Sequence, residues 1–262
     1  MSRSAPTLSV QVDITNPGQF FACCGLLEVA HRVWCPGPAE GWFADGHFLL
    51  ARNDGKPAEM ADLINAALGC DAQTIPIDDP KTDPIGLGDP IRMRLDWWRR
   101  SDGSTNLFKT WAANATSLQM YIKWRDPLRS CLGSINDQAK NLLLLSHQVQ
   151  GSYGFDSDLV WDALCVGFSF NEHNKLRKLP TRPAVELFGA IGLERFFPEL
   201  DEKKRSVSYS AWRVPLTASV ARAAVLGLVP EVTLCRLRTH FVSRGSFKGL
   251  DTARVVEGGS YE

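Results

Sequence analysis

Asp156 and Asp158 stand two residues apart, and on a strand they would share one face, an arrangement able to hold Mg²⁺. No third carboxylate lies near them in sequence, and a short Asp-x-Asp stretch is more often a turn. Glu172 and His173 have the chemistry for proton transfer, but Lys175, Arg177 and Lys178 surround them and no nucleophile stands out, so a solvated surface is the better reading. The sequence contains no G-x-x-x-x-G-K-S/T, no G-x-G-x-x-G after a strand, no H-E-x-x-H and no G-x-S-x-G. Gly86-Leu87-Gly88 runs into Asp89-Pro90 and makes a poor phosphate cradle. The 7 cysteines and 5 histidines are dispersed without a C-x-x-C pair, which argues for reduced thiols packed as small hydrophobes. No catalytic residue, metal or cofactor is expected.

Basic side chains give a stronger signal. Ile91, Met93, Leu95 and Trp97 alternate with Arg92, Arg94 and Asp96, and Cys235, Leu237 and Phe241 alternate with Arg236, Arg238 and His240. Each pattern is a strand with one apolar face and one face suited to phosphate contacts. Trp98 falls beside the first arginine face, where it would be placed to stack on a base, whereas Trp97 and Trp111 follow a core periodicity. Lys109, Lys123 and Arg125 lie off the apolar stripe of the segment that follows. The turn carrying Arg244, Gly245 and Lys248 could offer backbone amides to a phosphate. Asn16 and Gln19 are candidate base or groove contacts.

Formal net charge is zero, with 29 basic and 29 acidic residues, so bulk charge does not draw the chain to polyanions. The charges are nevertheless sorted. Residues 37–90 hold ten acids against three bases (net −7), residues 91–129 eight bases against three acids (net +5), and residues 203–248 nine bases against one acid (net +8). Such a chain can present a basic surface to a polyanion, or its acidic and basic segments can simply pack against each other.

The elements that must position these groups read as α+β. At 262 residues, 44% apolar and 22% charged, the chain can bury a sizeable core. A strand over 8–14 leads into Asn16-Pro17, an N-cap and first-turn proline, and a helix to Trp34 that contains Gly25, a sign that another backbone passes close by. A hairpin over 41–50, a short helix over 57–68 and a proline- and aspartate-rich acidic loop over 70–90 follow. Leu107, Trp111, Ala115, Leu118 and Ile122 predict the buried stripe of a helix interrupted at Asp126-Pro127. Further helices are expected over 138–149, over 181–191 stopped by Gly192, and over 217–226 ended by Gly227; further strands over 160–170, 207–211 and 235–241. The expected division is 1–130, an N-terminal part built on a strand-helix-hairpin unit with the acidic loop, and 131–262, a C-terminal part with the basic last strand. The N-terminal residues lack a signal-peptide pattern, and no run of about 18 apolar residues suits a membrane span, so a cytoplasmic protein with no membrane partner is expected.

Several stretches in order resemble a known family: Asn16 to Glu28, Gly41-Trp42-Phe43, Leu95-Asp96-Trp97-Trp98, Lys109-Thr110-Trp111-Ala112, Tyr153-Gly154-Phe155-Asp156-Ser157, Val166-Gly167-Phe168-Ser169, Thr181 to Leu187, Gly192 to Phe196, Trp212 to Leu216 and Arg244-Gly245. Their order and spacing, over about residues 8–255, are similar to a short Cas-eight-like large subunit of type I-U (I-G) CRISPR-Cas effector complexes. The resemblance implies a non-catalytic subunit of an RNA-guided, Cascade-type surveillance ribonucleoprotein in antiviral defence. Its partners would be the CRISPR guide RNA, target DNA near the PAM, backbone and Cas-five- and Cas-six-like subunits, and the helicase-nuclease that it helps recruit. The chain departs from that pattern in showing no large helical-bundle extension, which puts PAM recognition in question. Two other classes stay open: a protein–protein adaptor of such a complex without direct DNA binding, and, least favoured, a metal-dependent nuclease using Asp156, Asp158 or Glu172.

Overall fold

Asn16 and Pro17 do start a helix. In the computed structural model, which describes residues 5–35, 39–111, 115–130, 139–148, 153–160, 180–244 and 247–258, β1 (Leu8–Gln11) feeds α1 (Pro17–Val33) through an interlocked cap. The Asn16 side chain accepts from the Gln19 amide (3.3 Å), and the Gln19 side chain accepts in turn from the Asp13 amide (2.9 Å). β2 (Ala39–Ala44) and β3 (His47–Arg52) form the expected hairpin, turning at Asp45 and Gly46. Both turn residues have positive φ (49° and 70°), the geometry of a two-residue hairpin turn that follows strand twist. α2 (Met60–Gly69) precedes a three-stranded meander of β4 (Ala72–Thr74), β5 (Ile85–Leu87) and β6 (Met93–Leu95).

The segment over 70–90 is therefore structured at both ends, and its middle is held from within. Asp83 is buried, and one of its oxygens accepts from the amides of Ile77, Asp78 and Asp79 at 3.0–3.2 Å. The next helix differs from expectation. α3 spans Ser117–Ser130, ten residues later than the apolar stripe predicted, and buries Met120, Tyr121, Trp124 and Leu128. Residues 107–111 are held out of a helix because Asn106 accepts from the Phe108 amide (2.8 Å). Thr116 and Gln119 then cap α3 reciprocally, hydroxyl from amide at 3.1 Å and amide to carboxamide at 3.0 Å. Pro127 lies within α3 without ending it.

In the second half, the helix expected over 138–149 is a 3₁₀ turn at Ala139–Leu144 followed by β7 (His147–Gln148), which pairs with β8 (Pro180–Thr181). Residues 157–160 are helical, and the rest of the strand expected over 160–170, with Glu172 and His173, lies outside the described residues. α4 (Pro183–Arg195) runs through Gly192 instead of stopping there. β9 (Glu199–Asp201), β10 (Ser206–Trp212), β12 (Thr233–Arg244), β13 (Phe247–Leu250) and β14 (Arg254–Gly258) make a second antiparallel sheet. β11 (Leu216–Thr217) crosses to extend the first sheet beside β2, and α5 (Ala218–Val225) follows, with Gly227 at φ 73° just beyond it. The fold is α+β, and one hydrophobic cluster takes residues from both halves of the chain. No described helix is long and apolar enough to cross a membrane.

α1 and α4 form the centre. Pro17 to Ala30 and Pro183 to Leu193 are buried on every side. On α1, Phe20 stacks on Phe43 of β2 and meets Tyr209 and Trp212 of β10, which ties both sheets to one helix. Trp212 Nε1 donates to the Gly41 carbonyl (2.6 Å) and the Tyr209 hydroxyl to the Ile14 carbonyl (3.0 Å). The two helices touch backbone to backbone, as Gly25 foretold. A Cβ on Gly25 would overlap the Phe188 carbonyl, 2.8 Å from its carbon, and one on Gly192 would overlap the Phe21 carbonyl, 2.8 Å from the Gly25 nitrogen. Gly25→Ala and Gly192→Ala should each cost about 3 kcal/mol or more, because neither neighbour is a side chain that can swing aside. Gly69→Ala, where a Cβ meets nothing within 4 Å, should be neutral or stabilise by up to about 1 kcal/mol. Urea denaturation of the three variants checks this, and similar midpoints would show that the helix crossing is not tight.

Candidate nucleic-acid interface

The predicted site residues divide into those the fold consumes and those it leaves outward. Asn16 and Gln19 are consumed: both are buried in the α1 cap, and Asn16 also donates to Asp156 (2.8 Å). They have no groove-facing surface. Trp98 is a second correction, since it is only 1% exposed. It packs edge-on against Trp97 and Trp111, and its Nε1 donates to the Thr82 carbonyl (2.8 Å). Trp111 Nε1 donates likewise to the Lys81 carbonyl (2.9 Å). The indoles thus clamp the 77–83 loop. The arginine face expected over 91–97 shrinks to the three residues of β6, because Arg92 sits in a turn at φ 45° with its amide bonded to the Gly88 carbonyl.

Several arginines carry a carboxylate. Arg92 pairs with Asp89, Arg94 with Asp96 (2.7 Å), Arg99 with Asp78 (3.1 Å), Arg100 with Glu202, Arg125 with Asp126 (3.5 Å) and Arg236 with Glu199. A cleft of about 440 Å³ opens where Arg94, Arg99 and Arg100 converge with Ile77 and Asp96. Beside it, Glu194 accepts from the amides of Asp96 (2.7 Å) and Trp97 (3.1 Å). Burial lifts its pKa to about 7, against the pull of those amides.

Lysines behave differently. Lys109 bonds the Trp111 carbonyl (2.9 Å) and lies 5.2 Å from the centroid of that indole. Burial pushes its pKa down, and the ammonium groups of Lys248 on β13 and Lys81 in the clamped loop push it further, with Asp79 opposing. Two residues predicted from segments 139 positions apart in sequence, 109 and 248, therefore come within electrostatic reach of each other, and Lys81 comes within reach of Lys109 as well. Among the described residues none of the three has a carboxylate at ion-pair distance. Lys123 on α3 is half-buried, and burial alone pushes its pKa down.

The predicted alternation in β12 is present, with Cys235, Leu237 and Phe241 inward and Arg236, Arg238 and His240 outward. Arg254 of β14 lies directly opposite Arg238, whose Nε reaches Ser208 (3.2 Å). Lys248 pairs with Ser243, on the inward parity of β12, so the lysine group and the Arg238–Arg254 pair occupy opposite faces of the sheet. Arg244 ends β12, next to the 245–246 positions that lie outside the described residues. Sequence reading missed Lys81, Arg254 and two arginines near α1, Arg195 and Arg222. Only the tertiary fold brings them beside the others, so no local pattern marked them.

Asp156 precedes the helical turn at 157–160 and Asp158 lies within it, so the two are not on a strand, in keeping with the turn reading of the Asp-x-Asp stretch. Arg182 bonds both, at 3.3 Å and 2.8 Å, and burial raises the Asp156 pKa against the pull of Arg182 and Asn16. No three His, Cys, Asp or Glu side chains converge as a metal site among the described residues. Comparison with protein-family models, with curated proteins and with solved structures returns no match for this chain.

Glu194 supplies a pH test of this geometry. Its pKa is higher folded (about 7) than unfolded (about 4.5), so the native state binds more protons across that window. Its contribution is present below about pH 4.5 and is lost as pH rises through about 7. Glu194→Gln keeps an acceptor for the two amides without the charge. It should raise thermal stability at pH 8 by on the order of 1–2 kcal/mol, allowing for partial exposure, and change little near pH 4.5. Equal effects at both pH values would show that Glu194 titrates normally.

Proposed function

We propose that this chain is a non-catalytic, nucleic-acid-binding subunit of an RNA-guided DNA surveillance complex in the cytoplasm, holding the phosphate backbone of target DNA, near the PAM, or of guide RNA, and helping to recruit the helicase-nuclease. The observation that carries the binding part is Lys109, seated 5.2 Å from the Trp111 ring centroid, with Lys248 and Lys81 within electrostatic reach and, among the described residues, no carboxylate at ion-pair distance. Like charges brought together at a cost in folding free energy are repaid when a polyanion neutralises them and releases its counterions. Arg238 and Arg254, directly opposed across two strands, offer a second place where repulsion would be relieved in the same way. The complex membership rests on the resemblance to the Cas-eight-like large subunit, and with it the division of labour in which guide pairing reads sequence while protein reads backbone and a short duplex.

A second reading has its own support. Six arginines are already matched by carboxylates, two of them, Asp78 and Asp89, from the acidic 37–90 segment, and such a charge-balanced surface suits protein neighbours. An adaptor that docks the nuclease without touching DNA would look like this over much of its area.

The deciding experiment is co-purification with guide RNA and the other effector subunits, followed by salt-titrated binding to duplexes with and without candidate PAMs. Lys109→Gln and Lys248→Gln should each weaken binding to every sequence by about three- to tenfold and lower the salt slope by about one. Incorporation with no salt-sensitive DNA affinity would establish the adaptor instead, and failure to incorporate would remove the complex altogether.

A further inference from the structure

Glu28 lies in the last turns of α1 with its side chain 1% exposed, and three guanidinium groups converge on it. Arg32, one turn on, binds it with Nε (2.8 Å) and Nη2 (2.7 Å). Arg195, from the end of α4, approaches the same oxygen at 3.3 Å, and Arg222 of α5 bonds the other oxygen at 3.2 Å. The cluster thus carries three positive charges for one negative. The other carboxylate near Arg195, Glu194, is engaged with the Asp96 and Trp97 amides.

The three arginines are not equivalent. Arg32 is spent, because its Nη1 also donates to the carbonyls of Ile91 (2.5 Å) and Arg92 (2.8 Å). Arg195 and Arg222 are open: their Nε atoms are buried toward Glu28, but their side chains are 37% and 31% exposed, and among the described residues neither Nη atom of Arg195 nor Nη1 of Arg222 has a hydrogen-bond partner. Two guanidinium groups held on one buried anion, with terminal Nη groups left over and side chains partly open to solvent, match the oxygens of a phosphoryl group.

We propose that Arg195 and Arg222, positioned by the buried Glu28 carboxylate, form a binding site for a phosphoryl group. The inference deepens the nucleic-acid reading by naming a further backbone contact. It depends on that reading only for what carries the phosphate, since a free phosphate and a nucleic-acid phosphate offer the same oxygens.

The test uses the full chain. Inorganic phosphate is titrated calorimetrically at constant ionic strength against a chloride control, and a labelled oligonucleotide is titrated by fluorescence polarisation. Arg195→Gln and Arg222→Gln should each weaken phosphate binding about tenfold, the loss expected for one charge-assisted contact, and weaken the oligonucleotide by a similar factor. Arg195→Gln removes no hydrogen bond to Glu28 and should remain folded.

Phosphate binding that responds to these variants, with no oligonucleotide binding by the wild type, would uphold the site and overturn the nucleic-acid reading. Oligonucleotide binding indifferent to the variants, with phosphate no better than chloride, would overturn the site and leave that reading standing.

Discussion

The contact between α1 and α4 is the constraint on which the rest depends. Helices usually pack with axes 8–10 Å apart because side chains fill the space between them. Here Gly25 and Gly192 leave no side chain at the crossing, and each helix backbone rests on a carbonyl of the other. Gly18, where a Cβ would strike the Phe155 and Asp156 backbone, lets the 153–157 segment in at the same seam. Once the two helices are that close, each is enclosed, and the sheets must lie on their remaining faces. The aromatic set of Phe20, Phe43, Tyr209 and Trp212 then fills the space between sheet and sheet.

That same crossing gathers charge at its two ends. At the start of the helices, Asn16 precedes α1, Arg182 precedes α4, and both bind Asp156. A carboxylate there faces the positive ends of two helix dipoles and needs only one arginine, which it shares with Asp158. At the other end Glu28 sits where dipoles are negative, so a buried carboxylate is opposed by both burial and backbone. Three arginines are the counterweight, and they overshoot by two charges. The electropositive spot at the end of α1 thus arises from how the central helices are buried, with no basic sequence run behind it.

How much of this could be read from sequence follows the range of each interaction. The α1 cap, the 39–52 hairpin, the stop near Gly227 and the alternation in β12 are set by neighbours within a few residues, and the sequence shows them. α3 was displaced because the apolar stripe from Leu107 to Ile122 competes with a stronger local signal, the Thr116-x-x-Gln119 box. Gly192 read as a helix stop when its role is to meet Phe21 from another segment. Trp98 read as outward because strand alternation was extended past Leu95, where β6 ends. Lys109 and Lys248 were both named from charge, but nothing local places them together.

Charge segregation along the chain has a double outcome in three dimensions. The acidic segment does neutralise the basic one where the two run side by side, at Asp78 with Arg99 and Asp89 with Arg92. Pairing of this kind needs a carboxylate within reach of each guanidinium, and the fold supplies one along the 77–96 surface. It supplies none at ion-pair distance, among the described residues, for Lys81, Lys109 and Lys248, where the nearby Asp79 only softens the mutual repulsion that Lys109 feels. It also leaves Arg195 and Arg222 sharing one buried anion. A neutral chain therefore presents a mosaic in which, among the described residues, some positively charged spots are fixed by tertiary structure. Contacts of that kind would hold a phosphate backbone in register through a few fixed points, in place of a diffuse basic face that attracts any polyanion.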